Sequence, residues 1–154
     1  MSKISVAVGA LINAPADTVY DIIADYEHAH QSILPPENFQ NLRVEKGGRG
    51  AGTVISFVSI SPGRKQPMKM VISEPEPGRV LVELDPASSL VTTFTVTPVE
   101  AGEKANVEIR TELEPSNGPM GLLERLLVPA TLRRIYEKEL TLLEEVAARV
   151  GARM

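Results

Sequence analysis

The sequence lacks cysteine and tryptophan and has only two histidines among its 154 residues. Without a thiol, the chain can form no disulfide, iron–sulfur ligand set, cysteine-rich zinc site or cysteine nucleophile. Two histidines are also too few for most other metal sites. We therefore expect no metal and no other cofactor.

The sequence also lacks an excess of positive charge and a long apolar segment. Lys and Arg number 16 against 20 Asp and Glu, a net charge of -4, whereas proteins that bind nucleic-acid phosphates need concentrated positive charge. The uncharged stretch from Pro86 to Val99 is interrupted by Ser and Thr, and it is well short of the ~20 apolar residues that a membrane helix needs. We expect neither a nucleic-acid partner nor a membrane span.

The first residues imitate a short signal peptide, because Lys3 precedes an apolar segment that leads to Ala14-Pro15-Ala16. From Ile4 to Ile12, however, the apolar residues alternate at period two, which is typical of a β-strand. We expect a first strand here and a cytoplasmic protein. The length favours one domain over residues 1–154.

Two short helices are expected after this strand. Pro15 in the first turn and Asp17 at the positive end of the helix dipole favour a helix start. This helix should break around Asp25. A second helix is expected over residues 27–34, before Pro35-Pro36 ends it.

Six further strands are then expected, separated by turns rich in Gly and Pro. They cover residues 39–45, 53–60, 68–73, 80–84, 90–97 and 105–113. In the last of them Val107, Ile109 and Thr111 share one face, while Glu108 and Arg110 share the other. This alternation predicts a sheet with one covered face and one solvated face.

A long helix is expected from Pro119 to about Val150, with Gly151 as its stop. Pro129 predicts a kink or short break in it. Apolar residues recur along the helix at steps of three and four, which predicts one apolar stripe. The stripe comprises Leu132, Ile135, Tyr136, Leu140, Leu143, Ala147 and Val150.

The order of elements predicts an α+β fold in which a curved antiparallel sheet of about seven strands surrounds the long helix. Four segments add a family resemblance. They are Asp17–Tyr26, Gly50-Ala51-Gly52-Thr53, Glu74-Pro75-Glu76-Pro77-Gly78-Arg79 and Thr93-Phe94-Thr95-Val96-Thr97-Pro98. On these segments the chain resembles the START, polyketide-cyclase and pollen-allergen superfamily over essentially its whole length. The resemblance implies the helix-grip fold.

The same resemblance implies a cavity between the sheet and the long helix that takes lipids, sterols, hormones, polyketides or other apolar molecules. We therefore expect binding or transport of a small hydrophobic ligand, although the apolar residues alone favour a packed core. The alternative is an enzyme of the polyketide cyclase, aromatase or dehydratase kind. An interaction module is a third possibility, without a supporting motif. The expected ligand-binding residues are Tyr26, His30, Phe57, Met70, Phe94, Leu123, Leu127 and Tyr136.

His28 and His30 stand two residues apart. On a helix such residues point about 200° apart, so we do not expect them to share a metal. One of them could reach the mouth of the cavity beside Tyr26, or both could be solvated loop residues.

Glu83 has two interpretations. Val80, Val82 and Leu84 alternate against it, so the pattern alone turns Glu83 outward. Alignment to the superfamily's strand turns it inward instead, where it would be a candidate general acid or base with a raised pKa.

No segment matches a known catalytic motif. A Gly-x-Ser-x-Gly nucleophile turn is absent from the sequence. The glycine-rich segment at residues 47–52 lacks the Lys-Ser/Thr of a phosphate-binding loop, so we expect a hairpin turn there. We assign no catalytic residue.

Overall fold

The computed structural model describes residues 2–152. Over this range the chain forms seven strands, three α-helices and one 3₁₀ turn. In chain order they are β1 (Ile4–Ile12), α1 (Ala16–Ala24), α2 (Ala29–Ile33), β2 (Phe39–Lys46), β3 (Val54–Ser61), β4 (Arg64–Glu76), β5 (Val80–Leu84), β6 (Val91–Val99), the 3₁₀ turn (Glu100–Gly102), β7 (Lys104–Leu113) and α3 (Pro119–Ala152).

The strands form one curved antiparallel sheet in the order β1-β7-β6-β5-β4-β3-β2. Consecutive strands from β2 to β7 are neighbours, whereas β1 and β2 lie at opposite edges. The connection between these edges contains α1 and α2, and α3 packs against β1, α1 and α2. The expected helix-grip fold is thus confirmed.

The alternation of side chains along β7 shows how the sheet forms its covered face. Val107, Ile109 and Thr111 are buried, while Arg110 and Glu112 are exposed. Since successive residues of a strand point to opposite faces, one row enters the core and the other faces solvent.

The boundaries of β4 differ most among the strands from the sequence-based expectation. β4 begins at Arg64 instead of residue 68, because Arg64–Gln66 pair with Ser59–Ser61 across a tight turn at Gly63. That turn needs a positive φ, and Gly63 adopts 72°. The polar residues of this hairpin give no alternating apolar pattern, yet the two strands pair in regular register.

α3 has no break at Pro129 and continues past Gly151, so a break at Pro129 and a stop at Gly151 are both wrong. A proline removes a single backbone donor, and the turns on either side keep the helix continuous. Gly151 remains inside the helix instead of ending it. Among residues 2–152, no helix is both long enough and apolar enough to cross a membrane.

The two faces of β5 decide the position of Glu83. Leu81 and Glu83 are buried, Val80 and Val82 are half-buried, and Leu84 is exposed. The outward position that the alternation favoured is therefore wrong, and the superfamily alignment was right. An apolar pattern alone fails here because the concave face offers polar partners for a carboxyl group.

Candidate functional site

A cavity of about 100 Å³ lies between the concave face of the sheet and α3. Its walls come from α2, the strands, α3 and the adjoining loops. They comprise His30, Leu34, Asn38, Phe39, Ile55, Phe57, Ser59, Met68, Met70, Glu83, Leu90, Thr92, Phe94, Thr111, Leu132, Ile135, Tyr136 and Glu139.

The strand register separates a polar wall from an apolar wall. Glu83 of β5 lies opposite Thr92 of β6, and Thr92 lies opposite Thr111 of β7. Phe57 and Met68 lie opposite each other on β3 and β4. The polar row and the apolar pair therefore belong to different strands of the same concave face.

Glu83 is the central polar group of this site. The Tyr26 hydroxyl donates a 2.6 Å hydrogen bond to its Oε2, and His30 Nε2 lies 3.6 Å from the same oxygen. Burial raises the pKa of Glu83 to about 7, although the Tyr26 hydrogen bond acts in the opposite direction. Glu83 therefore exchanges a proton near neutral pH.

His30 is fully buried, stacked on Tyr26 with ring centroids 4.1 Å apart. Its Nδ1 lies 2.6 Å from the carbonyl oxygen of Ile23, so Nδ1 carries the hydrogen and donates it. Burial lowers the pKa of His30 to about 4, which leaves Nε2 as an acceptor. Because a neutral imidazole faces Glu83, the proton of this pair resides on the carboxyl group.

Glu139 of α3 contributes a second buried carboxyl group to the cavity and is only 2% exposed. Within residues 2–152, no side-chain hydrogen bond stabilises it. Burial raises its pKa well above the usual range, and the nearby charge of Glu83 acts in the same direction. Glu139 was not expected from the sequence, although it lies three residues after Tyr136 and four before Leu143, on the buried stripe of the helix.

The remaining polar groups of this wall bind one another. The hydroxyls of Thr92 and Thr111 are 2.7 Å apart, and Thr111 also shares a hydrogen bond with the Tyr136 hydroxyl. Burial raises the pKa of Tyr136, so its hydroxyl stays protonated at neutral pH. Two hydrogen bonds thus connect these three hydroxyls, while Glu83, Glu139 and His30 also line the cavity.

The glycine-rich turn between β2 and β3 positions Tyr26. Tyr26 N donates to Gly48 O at 2.9 Å, and Gly50 N donates to Ala24 O at 2.9 Å. A Cβ on Gly48 would collide with the Glu27 side chain. The segment is a hairpin turn, as expected, and it also fixes the corner between α1 and α2.

The structure brings most of the expected ligand-binding residues together. His30, Phe57, Met70, Phe94 and Tyr136 line the cavity. Tyr26 lies beside them, bound to Glu83.

Leu123 and Leu127 do not join them. They are 49% and 53% exposed and lie outside the cavity wall. They belong to the first turns of α3, whereas the residues of this helix that line the cavity begin at Leu132.

The two histidines occupy different environments. The His28 side chain is 81% exposed and lies 3.6 Å from Asp25, whereas His30 is buried. Within the described range, no group of three or more metal-ligating side chains has a suitable arrangement.

Several solved structures share this fold. The solution structure of KanY protein (ms6282) is 30% identical and has a TM-score of 0.82, with 96% of this chain and 99% of that chain covered. TTHA0849 from Thermus thermophilus is 23% identical with a TM-score of 0.76, and 95% and 98% of the two chains are covered. The Zhui aromatase/cyclase from Streptomyces sp. R1128 is 17% identical with a TM-score of 0.74, over 94% and 93%.

A comparison with proteins of curated function finds no match. The family comparison is informative, because residues 3–148 match one family over almost the whole chain. The chain belongs to the family described as polyketide cyclase / dehydrase and lipid transport.

Proposed function

We propose that this protein binds a small hydrophobic molecule in the cavity between the sheet and α3. The observation that carries the proposal is the cavity itself, since it is mainly apolar and has a few convergent polar groups on one wall. Membership of the polyketide cyclase and lipid transport family supports the same function.

The two walls define how a ligand would be oriented. Its apolar body would contact Phe57, Met68 and Met70, while its polar end would approach Glu83 and Glu139. The cavity measures about 100 Å³, so a larger ligand requires side chains to move. Methionine side chains are flexible enough for such adjustment.

Acid–base catalysis is the second candidate function, and the two buried carboxyl groups favour it. In a dehydration, one carboxylate would remove a proton from the carbon next to a carbonyl group. The other, as a carboxylic acid, would protonate the departing hydroxyl so that it leaves as water. Glu83 is suited to either role because its pKa is about 7. The Zhui aromatase/cyclase shares the fold, which makes this chemistry worth testing.

The binding proposal is tested with the neutral fluorescent dye N-phenyl-1-naphthylamine. Met70→Trp fills the cavity and is expected to weaken dye binding at least tenfold, whereas a packed core would instead lose about 1–3 kcal/mol of stability through overpacking. Met120→Trp is the matched control, because Met120 is 57% exposed and lies outside the cavity. Equal binding by both variants would contradict the proposal.

The Glu83→Gln variant distinguishes catalysis from simple binding. Polyketide-like and lipid-like compounds are assayed for retention and for chemical conversion, and native mass spectrometry of the purified protein identifies any molecule that copurifies. Loss of one neutral hydrogen bond costs a ligand about 0.5–1.5 kcal/mol, while loss of a general acid or base lowers a rate by about 10²–10⁴. Conversion that disappears in Glu83→Gln with binding retained would establish the enzyme.

A further inference from the structure

Over residues 2–152, the cavity lining contains acidic side chains but no strongly basic ones. In the described part of the chain, its lining includes two carboxyl side chains, Glu83 and Glu139, but no Lys or Arg. Both residues are buried, with Glu83 9% and Glu139 2% exposed. A negatively charged ligand would find no cation inside and would add a third acidic group to the site.

Donors and acceptors are also unevenly distributed over the polar wall of the cavity. Two hydrogen bonds connect the hydroxyls of Tyr136, Thr111 and Thr92, and the Tyr26 hydroxyl donates to Glu83. His30 Nε2 is an acceptor, because Nδ1 donates to the Ile23 carbonyl. Glu139 has no hydrogen-bond partner among residues 2–152, so its carboxyl group can receive a ligand's donors. On the polar wall the acceptors are therefore His30 Nε2 and, once ionised, the carboxyl groups of Glu83 and Glu139, while Asn38 and Ser59 carry donors elsewhere in the lining.

We infer that this cavity, if it binds an apolar ligand as proposed above, selects molecules whose polar end is a protonated amine. An ammonium group offers three donors and a positive charge, which matches two carboxyl groups and the His30 acceptor. Hydrogen bonds to charged groups are about twice as strong as neutral ones. An alcohol offers one donor and ranks second, while a carboxylate ranks last.

Amine binding is coupled to proton release. Burial keeps Glu83 and Glu139 largely protonated in the empty cavity below neutral pH, whereas a cation beside them favours their ionised forms. The other titratable groups around these acids are Tyr26 and Tyr136, which both stay neutral, and His30, with a pKa of about 4. An alkylamine keeps its charge to about pH 10, as lysine does, so its affinity should rise between pH 6 and pH 8.

The experiment compares octylamine, octan-1-ol and octanoate by calorimetry at pH 7, since their apolar chains are the same. We expect octylamine to bind about tenfold more tightly than octanol, and octanoate at least tenfold more weakly. Repeating the octylamine titration in buffers of different ionisation enthalpy should reveal release of about one proton. Octanol should release almost none.

Glu139→Gln and Glu83→Gln should each reduce the preference for octylamine over octanol to about threefold or less. Binding at the acidic outer surface would be screened by 0.5 M salt, whereas binding in the cavity should persist. Because proton release is measured on the unmodified protein, the inference is testable even if a variant fails to fold.

The outcomes are distinct. Octanoate binding as tightly as octylamine, amine binding abolished by salt, or amine binding without proton release would overturn the inference alone. If the three octyl compounds and N-phenyl-1-naphthylamine all fail to bind, the proposed function itself fails.

Discussion

The two halves of α3, on either side of Pro129, use apolar and charged residues in opposite ways. Before Pro129, Leu122 and Leu126 are 68% and 75% exposed. After it, Leu140 and Leu143 are buried together with a carboxylic acid, Glu139. In one helix, leucines are therefore exposed to solvent in the first half, and a glutamate is buried in the protein core in the second half.

Glu124 in the first half and Glu139 in the second differ in the same way. The backbone and side chain of Ser116 donate to Glu124 and lower the pKa of that carboxyl group. Burial instead raises the pKa of Glu139. Position relative to the sheet, and not residue type, decides which half forms the core and the cavity wall.

The largest expected effect comes from truncating one leucine in each half. Leu143→Ala removes a side chain that is 1% exposed, and such a core substitution costs about 2–5 kcal/mol. Leu122→Ala removes a solvent-exposed side chain and should change stability by about 0.5 kcal/mol or less. Urea denaturation of both variants measures the difference, and equal losses would show that the two halves are packed alike.

The second prediction concerns pH, because the buried groups beneath the C-terminal half titrate abnormally. The folded state raises the pKa of Glu83 from 4.5 to about 7, so its contribution to stability is present below pH 4.5 and is lost as pH rises through 7. Glu83→Gln removes the titrating group and therefore removes this loss of stability at high pH. Relative to the parent, the variant should gain roughly 3 kcal/mol between pH 4.5 and pH 7.5.

His30 serves as the control, because its pKa shifts in the opposite direction. The folded state lowers its pKa from 6.5 to about 4, so its contribution is present above pH 6.5 and is lost as pH falls through 4. His30→Asn should therefore gain relative stability toward acid pH, by roughly 3 kcal/mol. Difference curves of opposite slope are expected from urea titrations between pH 4 and pH 7.5, and parallel curves would contradict the pairing of these two neutral groups.

The third prediction exchanges the buried acid for an apolar side chain of similar size. Glu139→Met should stabilise the protein by roughly 1–3 kcal/mol at pH 7, because a buried polar group without a partner costs about that much. Thermal unfolding measures the gain. The same variant should lose the preference for octylamine, so stability and ligand selection would move in opposite directions. A less stable variant would show that Glu139 has a partner in solution.

Much of the fold was accessible from periodicity, while the acids of the cavity were not. Turns rich in Gly and Pro separated the strands, alternation indicated the covered faces of β1 and β7, and the stripe from Leu132 to Val150 located the packed half of α3. Glu139 lies on that stripe, yet an analysis that counts apolar residues passes over a glutamate. The only signal in the sequence was the position of Glu139 on this apolar stripe, which predicts that its side chain is buried.

Leu123 and Leu127 are the converse case, because both are apolar, as core residues are, yet both are about half exposed and lie outside the cavity lining. The partners of Glu83 were not predictable for another reason. Tyr26 and Glu83 are 57 residues apart in sequence, and only the folded sheet places them 2.6 Å from each other.

The smallest expected effect is on the exposed half of α3. Leu126→Gln keeps a similar helix propensity and removes no buried contact, so its free energy of unfolding should stay within about 0.5 kcal/mol of the parent. Leu140→Gln is the matched control, since it places an amide in the core and should cost several times more. Both are measured by urea denaturation at two protein concentrations. A large loss in Leu126→Gln that grows with protein concentration would mean that a second copy covers this surface in solution, and the contrast between the two halves would then hold only for the isolated chain.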